Sequence, residues 1–143
     1  MKSRCFGART IAALLSVISL LALSMQCTSR ATPEEQAREG ARAAAEIYYS
    51  FLLRGDYQQF LDGRAGADTL PQGYREQLLV AYKHFMAQQR QAHGGITQAE
   101  ATRANIDSTL QLVQVFLLLN YADSTQEEIV VPMVEYNGEW RMK

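Results

Sequence analysis

The sequence predicts a small α+β domain in which N-terminal helices pack on the concave face of a curved antiparallel sheet, giving a cone-like body. Three observations predict it: apolar residues recur at helical spacing up to Gly94-Gly95, they alternate after that pair, and Asn137-Gly138 marks a tight hairpin. Helices followed by consecutive strands favour a meander that is covered by helices on one side.

The first 27 residues are expected to form a signal peptide that is not part of the fold. Residues 1–10 contain three cations and no acid, and residues 11–25 carry no charge. A basic start followed by an apolar run is the layout of a secretory signal. The apolar run is shorter than the roughly 20 residues that a membrane-spanning helix needs.

Cys27, at the end of this segment, is the candidate lipidation site. The stretch Leu23-Ser24-Met25-Gln26-Cys27 resembles a bacterial lipobox, in which the cysteine becomes the lipidated first residue of the mature chain. Gln26 departs from that pattern, since a small residue usually precedes the cysteine. Cleavage near Ser24 is therefore kept as the alternative, with a soluble periplasmic or secreted product. Lipidation is favoured, and it predicts an envelope protein that is lipid-anchored and faces the periplasm.

A short tether, residues 28–32, is expected to lead into a single domain, residues 33–143. Three helices are predicted over residues 33–54, 56–62 and about 71–91, and glycines end each of them. Thr32 and Glu35 have the spacing of a capping box at the first helix. The third helix is expected to bury one apolar stripe, made of Tyr74, Leu78, Ala81, Tyr82, Phe85 and Met86.

Four strands are predicted over residues 96–107, 109–121, 127–136 and 139–143. Residues 112–119 are apolar on both faces, which places the second strand centrally. Gln114 and Asn120 share one face with Leu112, Phe116 and Leu118, and this face is predicted to point inwards. The opposite face would then need its own cover, and it carries Val113, Val115, Leu117 and Leu119. Pro132 lacks an N–H and predicts either an edge strand or a bulge.

Several chemistries lack their motifs in this chain. There is no glycine-rich phosphate loop, no zinc-ligand spacing and no nucleophile elbow, so neither a metal nor a cofactor is expected. After residue 27 the chain has eleven Lys and Arg against fifteen Asp and Glu, without a basic cluster. Nucleic-acid binding needs a positive surface that neutralises phosphates, and it is not expected.

The histidines and aspartates of the chain do not form a recognisable catalytic site. His84 is predicted to face solvent, and His93 to lie in the last turn of its helix, where a cation suits the helix dipole. Acid–base catalysis would need a carboxylate inside an apolar pocket. The candidate aspartates instead fall at caps, loops or strand ends, and they are Asp56, Asp62, Asp68 and Asp107. No catalytic residue is predicted.

Residues 33–143 resemble the nuclear-transport-factor-2-like, or cystatin-like, superfamily, and more narrowly the small bacterial lipoproteins of unknown function with that fold. The likeness rests on four stretches, which are Gly55-Asp56-Tyr57 with Phe60, Tyr121-Ala122-Asp123-Ser124, Val131-Pro132-Met133-Val134 and Asn137-Gly138-Glu139-Trp140. The resemblance implies the cone and often a pocket between helices and sheet. Members include isomerases, dehydratases, binding modules and scaffolds, so the fold does not select a function.

Two hypotheses follow for function, with an isomerase or dehydratase as a weaker third. The first is a non-catalytic binding module for a small apolar ligand or a peptide in an open cone. Its candidate pocket residues are Tyr48, Tyr74, Tyr82, Gln114, Phe116, Asn120 and Trp140. The second is an interaction protein with a filled cone, which forms a homodimer or docks a protein partner through the outer sheet face. In both, the membrane is reached through Cys27.

Overall fold

The computed structural model describes residues 31–143, so the predicted signal, Cys27 and most of the tether lie outside it. Within these residues three α-helices precede four strands: α1 (Pro33–Arg54), α2 (Tyr57–Asp62), α3 (Gln72–His93), β1 (Ile96–Asp107), β2 (Leu112–Tyr121), β3 (Gln126–Tyr136) and β4 (Glu139–Met142). None of the helices over residues 31–143 combines the length and apolar character needed to cross a membrane.

Helix α1 begins and ends where local chemistry requires. The Thr32 hydroxyl accepts a hydrogen bond from the N–H of Glu35 at 3.2 Å, and Pro33 occupies the first turn. Gly55 ends the helix in the left-handed region, φ 82°, and its N–H bonds to the carbonyl of Leu52. The predicted bounds of α1 are confirmed.

The four strands form one antiparallel sheet in the order β1-β2-β3-β4, as expected for a meander. The sheet is curved, and the helices pack on one of its faces, so the predicted α+β class is confirmed. Two register shifts interrupt the pairing of β1 with β2, between Ile96 and Gln98 and between Ala101 and Arg103. Such shifts bend a strand, and here they bend the long β1 around the helices.

The inner face of the sheet is the reverse of the predicted one. Side chains at alternate positions of β2 pack against the helices and are at most 3 % exposed, and they are Val113, Val115, Leu117 and Leu119. Gln114, Phe116 and Asn120 therefore lie on the outer face, because successive strand residues point to opposite sides. The prediction was wrong because both sets contain large apolar residues, and alternation alone does not say which set the helices cover.

Pro132 lies in neither an edge strand nor a bulge. It pairs with Gln114 in an uninterrupted register, and β3 has a neighbour on both sides. The N–H of Lys143, the last residue, donates to the carbonyl of Pro132 at 2.9 Å. In an antiparallel ladder the N and O of a residue point to the same side. The missing N–H thus faces Lys143, one residue beyond the last pair of the β3–β4 ladder.

On each edge strand of the sheet, other parts of the chain occupy the backbone groups of one residue. Beside β4, the N–H of Ala65 donates to Met142 and the N–H of Met142 donates to Gly63, at 2.7 and 2.9 Å. Beside β1, the Arg42 guanidinium donates to the carbonyl of Ala101 and the Glu46 carboxylate accepts its N–H, each at 2.7 Å. These two contacts, from one face of α1, are called the Ala101 clamp below.

Helix α3 buries less than its pattern predicts. Met86 is its one buried side chain, and Tyr82 packs edge-on against Phe60 of α2 with ring centroids 4.9 Å apart. Tyr74 and Phe85, both predicted in the buried stripe, are 50 % and 38 % exposed. The apolar stripe of α3 is wider than the surface through which α3 contacts the rest of the domain. Its residues at the margin, such as Tyr74 and Phe85, therefore remain exposed to solvent.

Candidate functional site

The seven predicted pocket residues do not converge on one site. Tyr48 and Trp140 do lie together, because the Tyr48 hydroxyl donates to the carbonyl of Trp140 at 2.8 Å. Burial is the main cause that raises the pKa of Tyr48 above its ordinary value. The Tyr48 ring lies directly on Gly63, where an added Cβ would approach it to 2.4 Å. These contacts fasten α1 to β4 and fill the space between them.

Tyr82 and Tyr74 belong to the other side of the helical layer. Tyr82 forms an aromatic cluster with Phe60 and Tyr49, and the Phe60 and Tyr49 centroids are 5.4 Å apart. The Tyr82 hydroxyl is buried and has no hydrogen-bond partner among residues 31–143, and burial raises its pKa. Burial also raises the pKa of Tyr49, to about 12. Tyr74 is half exposed on α3 and takes no part in the cluster.

The remaining predicted residues of β2 lie on the outer sheet face. Phe116 is covered by the Arg103 guanidinium, whose carbon lies 3.5 Å from the ring centroid. The Asn120 side chain accepts from Gln126 at 2.6 Å, and the Gln114 amide donates to Asp107 at 3.4 Å. Both amides hydrogen-bond to side chains of the neighbouring strands on the outer face, so they do not orient a ligand inside the cone.

The outer face carries a row of apolar side chains that no helix covers. We call it the outer patch, and it consists of Phe116, Leu118, Val130, Pro132, Val134 and Tyr136. Val130 is 51 % exposed and Tyr136 is 36 % exposed, and the other four are half-buried. Phe116 pairs directly with Val130 across β2 and β3, so the apolar surface is continuous between the strands.

Four charged residues around the outer patch form two ion pairs, whereas Glu100, opposite Leu118, has no ion pair within residues 31–143. Arg103 bonds Glu128 at 2.7 Å across the Phe116 ring, and Arg141 bonds Glu139 beside Tyr136. Both pairs are solvent-exposed and contribute little to stability, about 0–1 kcal/mol each. The charges within each pair neutralise each other, and Glu100 leaves the border of the patch with a small negative excess.

A cavity opens at the end of the cone near the β1–β2 turn and is called the mouth cavity. Its volume is about 400 Å³, and it lies between the first turns of α1 and the ends of the strands. Its walls combine apolar and polar residues, which are Ala37, Ile106, Asp107, Ser108, Gln111, Leu112, Val113, Glu135 and Trp140. Trp140 is the one predicted pocket residue that lines it.

Comparison with solved structures identifies the fold. An NTF2-like protein from Campylobacter jejuni, provisionally named a transpeptidase, matches with a TM-score of 0.56 and 10 % sequence identity, over 70 % of this chain and 94 % of that one. This chain has the nuclear-transport-factor-2-like fold. At that identity the likeness concerns the fold alone. No protein-family model and no curated protein sequence matches the chain.

The cone of this NTF2-like domain is filled by its own side chains. Ala41 and Ala45 of α1 are fully buried against the sheet, where Val115, Leu117 and Met133 are also fully buried. The alanines let α1 approach the strands closely. No polar or charged residue between 31 and 143 is buried, and no three His, Cys, Asp or Glu side chains of that region converge as metal ligands.

One polar cluster of the NTF2-like domain was not predicted. His93 Nδ1 lies 2.9 Å from an Asp123 oxygen, and the other Asp123 oxygen accepts the Thr125 hydroxyl at 2.6 Å and the Thr125 N–H at 3.0 Å. The hydroxyl first, then the N–H and His93, lower the pKa of Asp123 to about 2. The N–H of Asp123 also donates to the carbonyl of His93. The cluster fastens the end of α3 to the β2–β3 turn.

Proposed function

We propose that this protein is a lipid-anchored interaction module of the cell envelope, which faces the periplasm and associates with a second copy of itself through the outer patch. The observation that carries the proposal is the apolar row across β2 and β3, together with a cone that is already filled. An apolar surface of this size on a small domain marks an interaction site more often than it marks a bare surface.

The size of the sheet face suits a weak dimer. Ten residues of β2 span about 33 Å, and three neighbouring strands are about 15 Å wide, so the sheet face that contains the outer patch measures about 500 Å² per copy. Two copies that meet over this whole face would bury about 1,000 Å² in total, at the lower limit for specific interfaces. A contact made by the same patch on both copies has two-fold symmetry, as a closed dimer requires.

The charges around the patch favour a second copy over a strongly charged partner. Arg103 and Glu128 neutralise each other, and so do Arg141 and Glu139. Only Glu100 is left unpaired at the border, and one exposed carboxylate repels its own image weakly. The face also offers little attraction to a basic or acidic surface.

Anchoring through a lipidated Cys27 supports the same proposal. The tether of residues 28–32 would keep the domain within a short distance of the membrane. Molecules confined to one surface meet at a higher effective concentration than molecules free in solution. A face that dimerises weakly in solution would therefore be occupied on the membrane.

The dimer is tested on the full mature chain, extracted from bacterial membranes in mild detergent. We expect a dimer by sedimentation velocity, and we expect Val130→Glu to be monomeric, because it places a charge in the centre of the patch. Val80→Glu is the matched control. Val80 is 65 % exposed, and it lies on α3, which contributes no residue to the outer patch. A monomeric unsubstituted protein, or a Val130→Glu dimer, would contradict the proposal.

The anchor has a separate test. Cys27→Ala should move the protein from the membrane fraction to the periplasmic fraction, and metabolic labelling with a palmitate analogue should be lost. An unlabelled protein that is already soluble before substitution would indicate cleavage near Ser24. That result would leave the dimer proposal standing, with a soluble dimer in place of an anchored one.

A further inference from the structure

We infer that the mouth cavity is a second binding site, which takes a small organic cation with an apolar body. The site is separate from the outer patch and does not depend on dimer formation. A volume of about 400 Å³ falls within the range of small-molecule sites, about 300–1,000 Å³.

The apolar walls of the cavity come from four elements. Ala37 belongs to α1, Ile106 to β1, Leu112 and Val113 to β2, and Trp140 to β4. Leu112 and Val113 are buried, so they form a floor, while the half-exposed Trp140 ring forms a side wall. These surfaces suit the hydrocarbon part of a ligand.

Trp140 is held in place by close contact with α1. A Cβ added at Gly40 would lie 2.6 Å from Trp140 Nε1, so the indole rests directly on the helix backbone. The Trp140 carbonyl also accepts the hydrogen bond from Tyr48. A fixed indole at the wall of a cavity can bind a cation against its face.

The charge in the cavity is negative. Asp107 and Glu135 line it, and no Lys or Arg is among its lining residues. One Asp107 oxygen accepts the N–H groups of Thr109 and Leu110, at 3.0 Å each, while the other has only the 3.4 Å contact with Gln114. Glu135 is exposed, and within residues 31–143 its carboxylate makes neither an ion pair nor a hydrogen bond. Both carboxylates can therefore accept from a bound cation.

The nearby start of α1 does not reverse this sign. A helix N-terminus carries about half a positive charge, which favours anions within its first turn. Glu34 and Glu35 occupy that turn and offset the dipole, and Ala37 lies beyond it. Two full negative charges in the cavity exceed what remains. An amine or quaternary ammonium group is thus favoured over a carboxylate or phosphate.

The test uses the intrinsic fluorescence of Trp140, the one tryptophan of the chain. The full mature protein is titrated with phenethylamine, with neutral phenethyl alcohol and with anionic hydrocinnamate, which share an aromatic body. We expect the amine to change the Trp140 emission at roughly five- to tenfold lower concentration than the alcohol, with the anion weakest. The preference should shrink as salt is added.

Removal of the two negative charges shows how much of the ligand affinity comes from charge and how much from the shape of the cavity. Asp107→Asn with Glu135→Gln should bring the three ligands to similar affinity, and asparagine keeps the acceptor that the Asp107 turn needs. The matched control, Asp56→Asn with Glu76→Gln, removes the same charge elsewhere and should keep the preference for the amine. Circular dichroism checks that both double variants are folded.

Two results would overturn the inference. One is equal binding of the three ligands to the unsubstituted protein, or no response of Trp140 to any of them. The other is an amine preference that survives the Asp107 and Glu135 substitutions. Neither result bears on the dimer, which is measured independently by sedimentation of the Val130→Glu variant.

Discussion

The two faces of the sheet are built from the same strands, yet they are covered in different ways. Leu117 on the inner face is fully buried by helix side chains, whereas Leu118 beside it is half-buried and touches no helix. On the outer face no second layer of helices or strands covers the apolar residues. Long polar side chains cover them in part, and Arg103, for example, lies across the Phe116 ring. Apolar character therefore marks both faces, and only tertiary contacts show which one is closed.

The largest difference between the faces should appear when each leucine is shortened. Leu117→Ala is expected to lower the free energy of unfolding by about 2–5 kcal/mol, because it opens a cavity in a closed core. Leu118→Ala should cost about 1 kcal/mol or less in the monomer, since solvent already reaches the site. Chemical denaturation of the monomeric Val130→Glu background measures both. Equal losses would show that the faces are not distinct.

The next largest effect on the free energy of unfolding is expected where Gly63 packs against the Tyr48 ring of α1. Gly63→Ala should cost about 1–3 kcal/mol, because its Cβ would lie 2.4 Å from the Tyr48 ring at an ordinary φ of −70°. Gly73→Ala is the control, with no atom within 4 Å of the new Cβ, and it should stabilise α3 by up to about 1 kcal/mol. Similar melting temperatures for the two variants would refute this steric argument.

On the outer face, Arg103→Ala should have a small effect on stability and a larger one on association. The lost cation–π contact and exposed ion pair contribute about 0.5–1 kcal/mol to the free energy of unfolding. Because Glu128 is then unpaired on both copies, like-charge repulsion should weaken self-association, which sedimentation would show as a higher dissociation constant. Unchanged or tighter association would contradict this role of the paired charges.

The smallest predicted effect concerns Asp123 and depends on pH. Its pKa is lowered to about 2, so the group stabilises the fold fully above its unfolded pKa of about 4. This stabilisation is lost as the pH falls through about 2. Melting temperatures of the unsubstituted protein and Asp123→Asn should therefore differ at pH 7 and converge towards pH 2. Thr125→Val removes the main cause and should reduce the difference; parallel curves would contradict the assignment.

The element bounds could be predicted because their signals are local. Gly55 needs a positive φ at the end of α1, Gly94 does the same for α3, and Asn137-Gly138 forms the β3–β4 turn with both residues at positive φ. Each of these residues acts within four positions of itself. No knowledge of the rest of the fold is required to interpret them.

The candidate site was harder to predict because it depends on which residues the fold brings together. Gln114 and Phe116 were placed inside the cone by a choice between two equally apolar faces, and the choice was wrong. His93 and Asp123 are 30 residues apart, and they meet only because the β2–β3 turn returns to the end of α3. Trp140 lines the mouth cavity with Asp107 and Glu135, which come from two other strands and were not among the predicted pocket residues.

The Ala101 clamp has a consequence for how far assembly can proceed. Two sheets that meet face to face form a closed pair, whereas strands that add at an edge can continue without limit into fibres. Arg42 and Glu46 occupy the backbone groups of Ala101 in the middle of β1, and residues 63–65 occupy the edge of β4. Each of these contacts interrupts the row of free backbone groups at its edge, which disfavours continuous strand addition there and leaves the outer faces open to pairing.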